Sequence, residues 1–412
     1  MSNVKSSVKI SITNSGLTLV FLLFSLILLN STSSNAQSRA VLNYANTLKA
    51  IGKDPKQFVI DALRQSDLLI FDDAIHSAVE PFDFYQELLR DPRLNSKVKF
   101  VFIEIFGVAA QTHLDRFLAS PNRDRNLLKP VFQNDFSGFG WRYETYLSLL
   151  ETVWEVNQNL PNSEKIKIIG VDQPIFWKGI NSQKDYDDFN HSLNARDYFM
   201  FLEISSHLVN FTSQKKGIFL TNTRHAYTDL HASDGTLFWN CATFFHQRFP
   251  GKTLSIRLHN VSLSVEKNTE IKQKTIEGTD GILYKWVKVD NGKWDSAFAL
   301  NNNKPVGFPL TNNSFGKTKY VGNQMLQSSA DQTMSNACDA IIFLAPLESL
   351  HLSATLDFFY DSDFKKELKR RIEIIYAPDI SGFLKQNGCS NLDECIDIIA
   401  TREDKKKNTL GQ

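Results

Sequence analysis

Residues 98–106, VKFVFIEIF, constrain this chain more than any other segment. β-Branched and aromatic residues follow one another almost without a break, which suits a strand covered on both faces. Short runs of the same kind recur at 68–71, 165–171, 217–221, 253–258 and 339–344. Between them the spacing predicts helices over 55–65, 79–90, 109–118, 141–159, 195–211 and 235–249, and a last charged helix over 361–375. Strands that alternate with helices of this length predict an α/β fold. Its core would be a central mixed, mostly parallel sheet with helices on both faces.

Residues 260–335 interrupt the alternation. No helical spacing stands out there, and Tyr284–Val289 followed by Asp290-Asn291-Gly292 is a hairpin signal. This stretch is read as a β-rich insertion that either caps a cleft or forms a solvated excursion. The remaining organisation is a leader over 1–36, one α/β domain over 37–400 and a charged tail over 401–412. The leader has two lysines, Lys5 and Lys9, then the apolar run Leu17–Leu29, then small polar residues ending at Ala36. Thirteen residues fall short of the ~20 that span a bilayer, and the order fits a cleavable export signal. The expectation is an exported protein, periplasmic or secreted, without a transmembrane domain once the leader is removed; an uncleaved anchor is the alternative.

The chain has 46 Lys+Arg against 45 Asp+Glu. Near-neutrality with no long basic run argues against nucleic acid or an anionic membrane surface as partner. Of the four cysteines, Cys389 and Cys395 could close a small loop in an oxidising compartment, whereas Cys241 and Cys338 sit in apolar segments and read as buried small hydrophobes. With no C-x-x-C pair there is no zinc-finger spacing.

In open α/β sheets ligands bind beyond the carboxyl ends of the strands. The first strand ends at Asp72-Asp73-Ala74-Ile75-His76, with Glu80 on the next helix; the second carries Glu104; the third ends at Asp172; the fourth leads into Asn222-Thr223-Arg224-His225. Four strands thereby deliver Asp73, His76, Glu104, Asp172 and His225 to one edge. Glu104 is the most informative of these, because a carboxylate inside a buried strand must be paired or neutral. An imidazole is the expected partner, and two histidines among carboxylates suit either of two chemistries. One is metal-free activation of water; the other is a divalent metal held by Asp73, His76, Glu104 and His225. Among the other histidines, His113, His207 and His246 are read as packing or surface residues, and His231 and His259, though near strand ends, are not counted in the site.

The pattern resembles the erythromycin esterase-like branch of the ChaN/Tiki superfamily. That branch has Gly-Glu-x-x-His-Gly-x-x-Glu after its first strand; here the stretch Asp72–Glu80 keeps the His and the second Glu, with Asp73 in place of Glu and Ser77 in place of Gly. Further likenesses are Phe102-Ile103-Glu104, His113–Leu118, Trp141 with Glu144 and Asn157, Gly170-Val171-Asp172, Arg196-Asp197 with Met200, Asn222–Ala226 and Asp339–Phe343. The resemblance spans about residues 66–346. It implies a hydrolase acting on an ester, lactone or related bond of a small-molecule substrate, without a cofactor. His76 would be the base, Glu104 would orient the water, and Asp73 and His225 would complete the site; Glu80, Asp172 and Arg224 would contact substrate. No Gly-x-Ser-x-Gly elbow is present, so a serine nucleophile is not expected. Non-catalytic ligand binding, for instance of haem, and a Tiki-like metal-dependent hydrolase are the rival readings.

Overall fold

A computed structural model describes residues 38–211, 215–267, 282–322 and 328–407; the expected leader lies outside them. Among the described residues no helix is long and apolar enough to cross a membrane.

Seven strands form the central sheet: β1 (Leu68–Asp72), β2 (Val98–Gly107), β3 (Lys167–Asp172), β4 (Lys216–Thr221), β5 (Thr253–Leu258), β8 (Val306–Pro309) and β9 (Ala340–Phe343). Their order is β3-β2-β4-β1-β5-β9-β8, with every neighbouring pair parallel except β8 against β9. The fold is therefore α/β with a mostly parallel sheet, as the alternation predicts. Alternate side chains point to opposite faces. Leu69, Phe71, Val101, Ile103, Ile218 and Leu220 pack with the helices Val79–Arg90 and Glu144–Gln158. Leu68, Ile70, Phe100, Phe102 and Phe219 pack with Arg196–His207 and Cys241–Arg248. Glu104 shares the parity of Phe100 and Phe102, so the chain's own alternation turns it toward Arg196.

Helix starts differ from the spacing where a polar group supplies a better boundary. The helix expected over 235–249 begins at Cys241, because the Asn240 side chain accepts the Ala242 and Thr243 amides. The helix expected from 141 begins at Glu144: Gly138 and Gly140 have positive φ, and the Trp141 amide bonds the Phe132 carbonyl instead.

The insertion is where the sequence expectation fails most. Strand β7 (Ile282–Val287) pairs backward with β6 (Ser262–Lys267), antiparallel, and not forward across Asp290-Asn291-Gly292. Those three residues all have positive φ and turn the chain into a helix, Lys293–Leu300. The stretch also contributes β8 to the main sheet. Nor is it a solvated excursion. Trp294, Phe298, Phe308, Phe315 and Tyr320 are buried with Tyr44 and Leu48 of the helix over 38–51, an element the sequence pattern did not suggest. Near the C-terminus Cys389 and Cys395 form a disulfide. The described part of the charged tail is exposed, yet Lys406-Lys407 (β11) pairs with His351-Leu352 (β10).

Candidate functional site

The carboxyl ends of β1, β2, β3 and β4 meet around Glu104. Between β2 and β3 the register runs Ile103 to Gly170 and then Gly107 to Asp172, so β2 carries a bulge beginning at Glu104. Gly170 permits it: a Cβ there would lie 2.7 Å from the Phe106 carbonyl oxygen.

Both oxygens of the buried Glu104 carboxylate are saturated. Oε1 accepts from Arg196 Nη2 (2.8 Å) and faces His225 Nε2 at 3.2 Å; Oε2 accepts from Thr221 Oγ1 (2.7 Å) and the Asn222 amide (2.8 Å). Burial alone would raise this carboxyl, but the His225 and Arg196 charges, with His76, hold it well below the usual carboxylate range. Glu104 is a fixed anion.

Arg196 also grips Asp172, through Nε to Oδ1 at 2.7 Å and Nη2 to Oδ2 at 2.8 Å, and its guanidinium lies 4.7 Å from the Phe136 ring centre. His225 is buried. Its Nδ1 donates to Asp197 Oδ1 at 2.8 Å, and the same oxygen accepts the Cys241 amide. Burial opposes a charged imidazole, and Arg196 Nη1, 3.1 Å from Nε2, does too. The Glu104 and Asp197 carboxylates outweigh both and push His225 up to about 9. The two carboxylates thus favour the protonated ring.

His76 differs from these in being one-fifth exposed. Its Nδ1 lies 3.1 Å from both Asp73 Oδ2 and the Tyr146 hydroxyl. A carboxylate only accepts, so Nδ1 carries the proton and Nε2 is the free ring position. Nε2 is 3.8 Å from Glu104 Oε2, and Trp141 packs edge-on against the ring, 5.1 Å between centres. Burial lowers the His76 pKa, but the Asp73 and Glu104 charges win and raise it overall; burial pushes Asp73 up to about 6 against the pull of His76.

The structure thus gathers His76, Asp73, Glu104, His225 and Asp172 into one polar network, and leaves two sequence candidates out of it. Glu80 binds His351, accepting its backbone amide and facing its Nδ1 at 2.8 Å. Arg224 is exposed on the turn after β4, with no side-chain ion pair among the described residues. The remaining histidines stay apart from the network; His246 faces Asp339, and His259 faces Asp295.

Residues without a role in the sequence reading are Arg196, Asp197, Tyr146 and Thr221. Arg196-Asp197 stands in the motif run, but only the fold reveals that adjacent residues on one helix turn serve Glu104 and His225. Asn157, another motif residue, has a structural task, bonding both the Ile166 amide and its carbonyl.

The donors do not fit a divalent metal. Glu104 has no oxygen free of a close donor, and His225 directs each ring nitrogen at a carboxylate. Among the described residues no three His, Cys, Asp or Glu side chains converge as such an ion requires.

No family profile matches the chain, and no curated protein matches it in sequence. Several solved structures are similar in shape. One is a structural-genomics target from Bacillus cereus: 12% identity, 74% of this chain and 99% of that one, TM-score 0.47. A second, titled a succinoglycan biosynthesis protein, has 9% identity over 76% and 97% of the two chains, TM-score 0.47. A third is a variant of the erythromycin esterase EreC in its open conformation, with 11% identity over 70% and 92%, TM-score 0.44. Likenesses of this strength identify neither a family nor an activity.

Proposed function

We propose that this protein hydrolyses an ester, lactone or related bond of a small molecule with water as nucleophile. The observation that carries the reading is His76: its Nδ1 is held by Asp73 and Tyr146 while Nε2 remains free, partly exposed, and 3.8 Å from the fixed anion Glu104. A water bonded to Nε2 at about 2.8 Å would be deprotonated by it, and the Glu104 charge beside the ring, its own oxygens already occupied, would stabilise the imidazolium that forms. The water oxygen attacks the carbonyl carbon, and the proton passes to His76. As the tetrahedral adduct collapses, the C–O bond to the leaving alkoxide breaks and Nε2 returns the proton to it, giving an acid and an alcohol.

Asp73 and Tyr146 would fix the imidazole; Arg196, Asp172, His225 and Asp197 would hold Glu104 ionised and in place. We place the reaction outside the cytoplasm, a reading supported by the leader sequence and the Cys389–Cys395 disulfide. The test is turnover of a panel of carboxylic esters and lactones by wild type and His76→Ala, with circular dichroism to verify folding. The expected result is loss of at least about 100-fold in kcat for the variant. Equal turnover, or none by wild type across the panel, would overturn the reading.

A further inference from the structure

A second polar feature borders the network. Arg257, the penultimate residue of β5, lies beside Asp72 of β1 and is buried. Its Nη2 donates to Ser262 Oγ at 3.0 Å, and its Nε stands 3.7 Å from Asp72 Oδ2, beyond hydrogen-bond range. Among the described residues its buried Nη1 has no hydrogen-bond partner. Asp72 therefore pairs with the guanidinium by charge, through Oδ2, without a hydrogen bond, while Asp72 Oδ1 is occupied by Thr223 Oγ1 and the Ala74 amide, both at 2.8 Å. Leaving a buried charged donor unsatisfied is costly, and such a group calls for an occupant.

Arg257 lines a cavity of about 70 Å³ together with Ala74, Asn222, Thr223, Leu263 and Trp286. That is small beside the ~300–1,000 Å³ of a whole drug-sized ligand, and suits one end group. Asn222 turns its Oδ1 to the Arg224 amide, which leaves the side-chain NH₂ as a second donor, while its own backbone amide is bonded to Glu104. Through Asn222 the cavity therefore borders the Glu104 network. Leu263 and the half-exposed Trp286 provide an apolar rim on the β6–β7 hairpin.

We propose that this cavity is an oxyanion subsite, in which the Arg257 guanidinium and the Asn222 side-chain NH₂ hold a carboxylate or phosphate of the ligand while its carbon skeleton leaves over Trp286 toward His76. In its bearing on catalysis this rests on the hydrolase reading, and it narrows the substrate to anionic esters; the binding itself stands apart.

The experiment titrates wild type, Arg257→Gln and Arg257→Lys with methyl hydrogen succinate, inorganic phosphate and the neutral dimethyl succinate at constant ionic strength, following thermal unfolding. The same proteins are assayed on p-nitrophenyl hydrogen succinate and p-nitrophenyl acetate. Expected are a rise in Tm of wild type with one or both anions, none with the diester, and affinity reduced by about 10-fold or more in Arg257→Gln. KM for the anionic ester should rise by a similar factor while that for the acetate is unchanged. A response to methyl hydrogen succinate alone assigns a carboxylate, and to phosphate alone a phosphate group. If Arg257→Gln does not fold, Arg257→Lys, which retains a charge for Asp72, is expected to fold and bind more weakly. Equal stabilisation of wild type by the diester, no stabilisation by either anion, or undiminished anion affinity in a folded variant overturns the subsite. Anion binding lost in the variant without any ester turnover sustains the subsite and counts against the hydrolase reading instead.

Discussion

His225 makes the protein's stability depend on pH in a direction that can be worked out beforehand. Its pKa rises from 6.5 in the unfolded chain to about 9 in the fold. A raised folded-state value means the native state holds the proton more tightly. The resulting stability is fully present below pH 6.5 and is lost as pH climbs through 9. At 1.36 kcal/mol per pK unit the whole effect is roughly 3 kcal/mol, and about 2 kcal/mol of it disappears between pH 7 and pH 9. The perturbation is His225→Gln, which keeps a donor but cannot titrate. Urea unfolding of both proteins at pH 6, 7, 8 and 9 gives the difference in stability at each pH, and thiol and amino groups common to both cancel. The advantage of wild type should be largest at pH 6 and shrink steeply toward pH 9. A difference that stays constant over this range would mean His225 is neutral in the fold, and the picture of an imidazolium bridging Glu104 and Asp197 would be wrong.

Four further outcomes are expected. Wild-type kcat/KM should rise with pH through an apparent pKa above 6.5, because His76 is raised and must lose its proton to act as base. In Asp73→Asn, removal of the carboxylate that raises His76 should move this acid limb to lower pH and depress the plateau; an unmoved limb in the pH–rate profile would dissociate Asp73 from His76. Arg196→Met should destabilise by about 3–5 kcal/mol in urea titration, since it strips Asp172 and Glu104 of their shared cation, and adding Asp172→Asn should recover part of the loss. Gly170→Ala should cost about 1–3 kcal/mol and lower kcat, as its Cβ would press within 2.7 Å of the Phe106 carbonyl and push the Glu104 bulge; full activity would contradict that.

The alternation of apolar runs and amphipathic spacing carried the sheet and its covering helices, because a doubly covered strand such as Val98–Gly107 can hardly be anything else. The position of an acid in that run, and of histidines just past two other strands, carried the convergence of Glu104, His76 and His225. What local pattern could not convey was partner choice. Tyr284–Val289 reads as the first arm of a hairpin, but the left-handed Asp290-Asn291-Gly292 turn that marks its end equally initiates a helix, and burial of Trp294 decides for the helix. Glu80 lies in register with a motif, yet His351, 271 residues onward, claims it. Arg257 carries no signal beyond being a cation near a strand end, and its unpaired nitrogen exists only once β1 and β5 are side by side.

The Glu104 network fastens the molecule across its sheet: Tyr146 reaches it from one helical layer, Arg196 and Asp197 from the other. Sliding one layer would break the Tyr146–His76 hydrogen bond, and sliding the other would break the ion pairs of Arg196 and Asp197. Above this clamp lie Ala74–Ser77, Asn222–Arg224 and the strands β6 and β7, several of whose residues line the small cavity. Those rim segments are where a change of substrate preference can arise at little risk to the scaffold, whereas the clamp beneath them tolerates almost no redesign.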